Sequence, residues 1–169
     1  MKWIGISGSW RKTSSEVEHD VRQVVREIIS RGDGIVTGGA LNVDYFATEE
    51  ALRANPKATQ IRVYRPVTLE RYAAHYRKRA DEGVITHEQA EGLIRLLIAL
   101  KRANPIALIE HLTNTVIDRA TYFERNSIVV DHSDEILAFQ VNDSAGVQDT
   151  CDKARAEGKP VHVKRYIIE

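Results

Sequence analysis

The amino-acid sequence predicts an α/β fold in which a doubly wound, mostly parallel sheet of five strands carries a helical insertion. Short apolar segments of strand length alternate with segments whose apolar residues recur every three or four positions, as on one helix face. Glycines and small hydroxyl residues follow three of the apolar segments, where strands turn into helices. The segment at about 67–115 departs from this alternation.

The first 65 residues show the alternation most clearly. The pattern predicts a strand at Trp3–Ser7, a helix from Glu16 to Ile29, a strand at Gly34–Thr37, a helix at Val43–Ala54 and a strand at Ile61–Tyr64. Parallel strands need a long return connection, so a helix between successive strands predicts parallel pairing through right-handed crossovers.

The last third of the chain repeats the pattern. It predicts a helix at about 116–131, a strand at Glu135–Val141, a helix at about 146–157 and a strand at Val161–Tyr166. We interpret residues 1–169 as one domain whose five strands are covered by helices on both faces.

The insertion at about 67–115 is predicted to contain two helices, Leu69–Asp81 and His87–Arg102. The second is apolar almost all round, which is typical of a buried or paired helix. We therefore expect the insertion to form a lid or a dimer contact, and the protein to be a homo-oligomer.

Composition restricts the classes of function. Lys and Arg number 24, as do Asp and Glu, whereas domains that bind polyanions usually carry a basic excess. One cysteine, Cys151, excludes an intramolecular disulfide, and the six histidines lack ligand spacing, so no metal site is predicted. No apolar run reaches the roughly 18 residues of a membrane span, and no signal-peptide pattern is present. We expect a soluble, cytoplasmic protein.

Three strand-to-helix turns predict where a ligand binds. They contain Gly8-Ser9, Gly38-Gly39 and Ser144-Ala145-Gly146, and each follows the carboxyl end of a strand. Such turns expose backbone N–H groups and the positive end of a helix dipole, which suit a phosphate. The alternative is that the glycines only shape the turns. Three of them at one sheet edge favour an anionic ligand.

Several familiar motifs are absent from these turns. There is no Gly-Lys-Ser/Thr, no Gly-x-Gly-x-x-Gly and no Gly-x-Ser-x-Gly. Phosphate-loop NTPases, standard NAD dehydrogenases and hydrolases with a nucleophile elbow are therefore not favoured.

The order and spacing of six segments resemble the SLOG superfamily of Rossmann-like nucleotide binders. This superfamily includes the DNA-processing protein A family, the Lonely Guy phosphoribohydrolases and molybdenum-cofactor carrier proteins. The similarity covers about 120 residues, everything except the insertion, and its segments are Gly8–Arg11, Val36–Asp44, Glu124–Asn126, Ser133–Leu137, Ala145–Thr150 and Gly158–Val161.

The resemblance implies nucleotide binding, with the protein acting as a sensor or carrier and no cofactor required. Lonely Guy enzymes carry a Gly-Gly-x-Gly-Thr-x-x-Glu motif with a catalytic glutamate, and Thr150 stands at that glutamate here. DNA-processing protein A has a Ser-Gly-Ser/Thr turn where this chain has Ala145-Gly146-Val147. The expected ligand contacts are Gly8, Ser9, Gly38, Gly39, Asp44, Arg125, Asn126, Ser144 and Gly146.

Individual residues leave alternatives open. Asp44 either accepts hydrogen bonds from a ribose or only complements the dipole of its helix. Arg125 either clamps a phosphate, with Tyr122 stacking on a base, or is a solvated arginine beside a half-buried tyrosine. No catalytic residue is identified, and Arg125 and Glu49 are the candidates.

The sequence is also compatible with two other functions. One is hydrolysis of the N-glycosidic bond of nucleoside monophosphates, with Arg125 steadying charge and Glu49 or Asp44 polarising water. The other is binding of single-stranded DNA, as in relatives of DNA-processing protein A. It would use the basic and aromatic residues of the insertion, although a solvated helix face explains them as well; these residues are Arg71, Tyr72, Tyr76, Arg77, Lys78 and Arg79.

Overall fold

The computed structural model describes residues 1–169 and contains a six-stranded parallel sheet with six α-helices. In chain order the elements are β1 (Trp3–Gly8), α1 (Ser15–Ser30), β2 (Gly34–Thr37), α2 (Val43–Ala54), β3 (Ile61–Arg65), α3 (Leu69–Asp81), α4 (His87–Ala103), β4 (Leu108–Glu110), α5 (Arg119–Asp131), β5 (Glu135–Val141), α6 (Ala145–Ala156) and β6 (Val161–Tyr166). The strand order is β4-β3-β2-β1-β5-β6, and every neighbouring pair is parallel.

The prediction of five strands is wrong by one, because β4 lies within the segment assigned to helices. It spans only three residues, too few to show a period of two, and it follows a 3₁₀ turn at Pro105–Ala107. Its pairing with β3 aligns Leu108 with Val63 and makes β4 one edge of the sheet.

The doubly wound class is confirmed, because the strand order reverses beside β1. The chain runs outward from β1 to β4 on one side and then returns to place β5 and β6 on the other. Right-handed crossovers therefore put α1, α2 and α4 on one face and α5 and α6 on the opposite face. The buried clusters agree: Ile4 of β1 and Val21 of α1 belong to the main cluster, whereas Ile136 of β5 and Cys151 of α6 belong to a second one.

Helix α4 is buried against its own chain. Leu93, Leu97 and Leu100 belong to the main core, so the apolar character of α4 needs no partner subunit to explain it. Association through the insertion stays a prediction. None of the helices is both long enough and apolar enough to span a membrane.

An ion-pair network joins α1 to α2. The Glu50 carboxylate is only 4% exposed and lies 2.8 Å from Arg26, 3.0 Å from Arg53 and 3.2 Å from Arg22. Burial works to raise the pKa of the Glu50 carboxyl, but the bonds to Arg26 and Arg22 outweigh it and hold the pKa below its usual value.

Glu50→Gln is expected to lower the free energy of unfolding by about 1–2 kcal/mol at pH 7, because it removes charge-assisted bonds from a buried site. The folded pKa is depressed, so this stability is present above the unfolded value of 4.5 and is lost as pH falls through the folded value. Urea unfolding at pH 7 and pH 3 should show the two proteins converging in acid. Glu27→Gln, at an exposed position of α1, is the control and should change little at either pH; a gap that persists at pH 3 would contradict the prediction.

Candidate functional site

A cleft of about 720 Å³ opens at the carboxyl edge of the sheet. It lies beyond the ends of β1 and β5, the two strands between which the strand order reverses, where open α/β sheets bind ligands. Its walls come from the turns after these strands, the starts of α2, α5 and α6, and one side of α3.

The structure brings seven of the predicted ligand residues to this cleft. The turns after β1, β2 and β5 converge because parallel strands all end at the same edge. The residues that line the cleft are Gly8, Gly38, Asp44, Arg125, Asn126, Ser144 and Gly146.

Ser9 and Gly39 lie behind the cleft wall. The Ser9 hydroxyl accepts a hydrogen bond from the Val141 N–H at 3.0 Å and donates to the Val141 carbonyl at 3.4 Å. Ser9 thus joins the ends of β1 and β5. Gly39, whose φ is +66°, packs closely against Arg65 and Val63. Both residues support the turns that form the cleft wall, but neither lines the cleft.

Glu49 lies away from the cleft. Its carboxylate is 2.8 Å from Arg22 of α1 and accepts a hydrogen bond from the Tyr45 hydroxyl at 2.7 Å. This position between α1 and α2 keeps Glu49 out of the cleft. Residues five apart on a helix point roughly 140° away from each other, and Asp44 is the one that faces the cleft. If the cleft hydrolysed a glycosidic bond, Asp44 rather than Glu49 would be the carboxylate in position to polarise water.

The Gly38-Gly39 turn does not offer the free N–H groups expected from its glycines. The Ala40 N–H donates to the Asp44 carboxylate at 3.1 Å, and the Gly39 N–H donates to the Thr37 hydroxyl at 3.2 Å. Asp44 lies in the first turn of α2 and folds back over the turn. The position where an anion would bind is therefore filled by the protein's own carboxylate.

Asp44 is a buried carboxylate, only 6% exposed, facing the cleft. Burial raises the pKa of its carboxyl, and the positive charges of Arg125 and Arg65 oppose this rise without cancelling it. Asp44 is consequently suited to accept a hydrogen bond from a ligand hydroxyl, and it holds a proton more readily than an exposed aspartate does.

Arg125 is fixed in the floor of the cleft. Its Nη1 donates to the Gly38 carbonyl, its Nε donates to the Asn126 side chain at 3.3 Å, and its guanidinium lies 5.4 Å from the centre of the Tyr122 ring. A Cβ at position 38 would lie 2.2 Å from Nη1, so the glycine is required for this approach. Asn126 in turn donates to Asp149 at 3.2 Å.

The first turn of α6 lies at the cleft without a side-chain cap. Ser144, its N-cap residue, makes no capping hydrogen bond, whereas Asp118 caps α5 by accepting from the Thr121 N–H at 2.9 Å. The first N–H groups of a helix have no partner within the helix. A Cβ at Gly146 would meet open space, so nothing covers this end.

The cleft is more basic than the neutral chain as a whole. Arg11, Arg79 and Arg119 line it together with Arg125, against two carboxylates, Asp44 and Asp118. Sequence reasoning missed these three arginines as a group because they come from three distant segments. Arg11 stood in the glycine motif after β1 and Arg79 in the basic and aromatic stretch of the insertion, but no pattern linked them to Arg119.

Aromatic side chains form part of the wall. Trp10, Tyr76, Tyr122 and Phe123 line the cleft. Burial, reinforced by Tyr72, raises the pKa of the Tyr122 hydroxyl to about 12, so at neutral pH this group can donate a hydrogen bond.

The insertion does not present a joint basic and aromatic surface to solvent. Tyr72 and Tyr76 are buried, whereas Arg71 and Lys78 point outward and Arg77 pairs with Glu91 at 2.9 Å. The helix period separates the two sets, because Tyr72 and Tyr76 are four residues apart and share the inner face of α3. Of the stretch, only Tyr76 and Arg79 reach the cleft.

No family model matches the chain, and no curated protein matches it. Solved structures do. DNA processing protein A from Helicobacter pylori, described for its single-stranded DNA binding mode, superposes with a TM-score of 0.68 at 21% identity over 96% of this chain. DNA processing protein A from Streptococcus pneumoniae gives 0.64 at 16% identity over 96%. This chain has the fold of these proteins.

The chain spans 64% and 50% of the lengths of those two proteins. The molybdenum cofactor binding protein from Rippkaea orientalis superposes with a TM-score of 0.61 at 17% identity, over 98% of this chain and 77% of that one. Both groups belong to the resemblance predicted from the motifs, which is therefore confirmed at the level of the fold.

Proposed function

We propose that the protein binds a nucleotide or a related phosphate-containing small molecule in the cleft, as a sensor or carrier. The observation that carries this proposal is the uncapped first turn of α6 at a cleft lined by four arginines and two aspartates. Unpaired N–H groups, a helix dipole and arginine together favour a phosphate.

The rest of the cleft suits the other parts of a nucleotide. With the phosphate near Gly8 and Gly146, Asp44 is the carboxylate for ribose hydroxyls, and Tyr76 and Tyr122 supply aromatic rings for a base. Arg125 contributes a fixed positive charge to the floor. The volume of about 720 Å³ falls in the range of ordinary small-molecule sites.

Thermal shift against nucleotides, dinucleotides and molybdopterin-like ligands tests the proposal. A ligand at 100 times its Kd adds about 2.7 kcal/mol, which should raise the melting temperature by about 5–10 °C. Gly146→Glu should lower the affinity for the phosphate-containing ligand at least about tenfold, because it places a negative charge at the proposed phosphate position. The same charge complements the dipole of α6, so the variant should remain folded.

Gly146→Gln is the matched control, since glutamine has the size of glutamate without its charge. Binding by the glutamine variant should stay well above that of the glutamate variant. Equal losses of affinity in the two variants would mean that the size of the side chain at position 146, and not its charge, affects binding. A wild-type protein that responds to no ligand of the panel would overturn the proposed function.

Binding of single-stranded DNA is the second candidate function. Trp10 is 42% exposed at the edge of the cleft, and the Arg11 guanidinium lies 5.4 Å from the centre of its ring. An exposed aromatic ring beside a cation is a stacking platform for successive bases. The neighbour from Helicobacter pylori is described for such binding.

A short oligothymidylate in the same panel separates the two candidates. If DNA is the ligand, it binds more tightly than any mononucleotide, its affinity falls steeply with salt, and Trp10→Ala removes most of it. If a small molecule is the ligand, Trp10→Ala leaves mononucleotide affinity largely intact, and oligothymidylate gains nothing over a mononucleotide.

A further inference from the structure

Arg65, the last residue of β3, is a buried cation without a carboxylate partner. Its side chain is almost completely buried, and no Asp or Glu lies within ion-pair distance of it. Its Nη1 donates to the Gly38 carbonyl, whereas Nε and Nη2 have no hydrogen-bond partner. Such a group opposes folding, because a buried charge loses its hydration and the opposing charge of the Asp44 carboxylate lies beyond ion-pair distance.

The guanidinium is held by an aromatic ring. Its central carbon lies 3.2 Å from the centre of the Tyr72 ring, and the Tyr72 hydroxyl donates to the Gly39 carbonyl at 3.1 Å. Contact with a ring face attracts a cation but does not neutralise it. Burial lowers the pKa of Arg65, but guanidinium groups remain protonated in proteins at neutral pH.

This charge lies directly beneath the floor of the cleft. Arg65, at the end of β3, and Arg125, in α5, both donate a hydrogen bond to the Gly38 carbonyl. A Cβ on Gly39 would lie 2.5 Å from Nη1 of Arg65, so the guanidinium lies against the Gly38-Gly39 backbone, of which Gly38 lines the cleft. The Tyr76 hydroxyl, which lies 2.9 Å from the Tyr72 hydroxyl and can donate to it, belongs to a side chain that lines the cleft.

We propose that Arg65 is a positioning residue of the cleft. Its unpaired charge and its bond to Gly38 hold the turn in place and make the floor selective for an anionic ligand. The inference rests on the proposed function. A residue that opposes folding beside a binding site is typical of a site where stability is exchanged for function. The competing explanation is that Arg65 only fills space and stacks on Tyr72.

Arg65→Met and Arg65→Lys separate these explanations, with pyrophosphate as the probe at constant ionic strength. The methionine variant keeps the volume and removes the charge. It should melt at least about 2 °C above wild type, while its affinity for pyrophosphate falls at least about fivefold. The lysine variant keeps the charge and should bind within about twofold of wild type.

Arg77→Met is the control for removing an arginine, because Arg77 lies on the outer face of α3 and does not line the cleft. It should leave pyrophosphate affinity unchanged. If Arg65→Met does not fold, Arg65→Gln, which keeps N–H donors for Gly38, takes its place. Wild-type affinity in the neutral variants would overturn the inference.

A readout without ligand keeps the inference testable if pyrophosphate does not bind. Arg65 is one of the cations that oppose the rise in the pKa of Asp44, so the neutral variant should move the Asp44 carboxyl titration, followed by NMR, to higher pH. The lysine variant should move it less. If wild type binds neither pyrophosphate nor any ligand of the nucleotide panel while the Asp44 titration moves, the proposed function is overturned and the charge of Arg65 at the floor is supported. An unmoved titration would overturn the inference itself.

Discussion

Gly8→Ala is expected to lower the free energy of unfolding by about 3 kcal/mol and the melting temperature by about 6–12 °C. A Cβ at position 8 would lie 2.3–2.4 Å from three side-chain carbons of Val43. Val43 is fully buried and branched at Cβ, so it cannot rotate away. Because the Cβ of Val43 is fixed to the backbone of α2 and position 8 belongs to β1, β1 and α2 would have to separate. Thermal and urea unfolding measure the loss.

Gly92→Ala is the matched control for Gly8→Ala. Gly92 lies within α4, and the nearest atom to an added Cβ is the Tyr45 hydroxyl at 3.9 Å. Alanine is favoured over glycine in a helix by about 0.5–1 kcal/mol, so this variant should gain stability. A Gly8→Ala protein as stable as the Gly92→Ala protein would show that β1 and α2 are not packed as closely as described.

The same close contact explains part of the site. Without a side chain at Gly8, the first residue of α2 rests on the end of β1, which brings Asp44 into the cleft beside the Gly38 turn. Gly8→Ala should therefore weaken ligand binding as well as folding.

The secondary structure was largely predictable because its elements are long enough to show their period. Helices α2 and α3 and the strands β2, β5 and β6 have the predicted bounds, and most others differ by a residue or two. Helix α5 starts later than expected, at Arg119, because Asp118 caps it there. Strand β4 was missed because three residues show no periodicity, and its pairing depends on β3, which lies far away in the sequence.

The site was predictable only in its location. Topology brings the ends of parallel strands together, so the glycine turns after β1, β2 and β5 indicated the right edge of the sheet. Sequence alone did not indicate that Asp44 would occupy the N–H groups of the turn after β2, since that depends on how far α2 reaches over it. Arg65 was not singled out either. Its only signal was an ionisable residue at the end of an apolar strand, which usually indicates solvent exposure.

Asp44→Ala is expected to cost about 3 kcal/mol of stability, or about 6–12 °C in melting temperature. The substitution leaves the buried Ala40 N–H without its acceptor, and it removes a carboxylate whose charge opposes those of two buried guanidinium groups. Arg125 and Arg65 would then share the Gly38 carbonyl with no opposite charge nearby. Urea unfolding at pH 7 measures the cost, and a change below about 0.5 kcal/mol, the range of ordinary surface substitutions, would contradict this view of the floor.

Asp44→Asn separates the hydrogen bond from the charge, because asparagine keeps an acceptor for the Ala40 N–H. It should cost clearly less than Asp44→Ala at pH 7. Since burial raises the folded pKa of Asp44 above 3.8, the stability linked to its proton is fully present below pH 3.8 and is lost as pH rises through the folded value. The free energy of unfolding of wild type should accordingly rise relative to that of the Asp44→Asn protein as the solution is acidified towards pH 4. This is the opposite of the trend expected for Glu50. If the two proteins keep a constant difference down to pH 4, the carboxyl titrates as an exposed group would, and Asp44 is not the buried charge of the cleft floor.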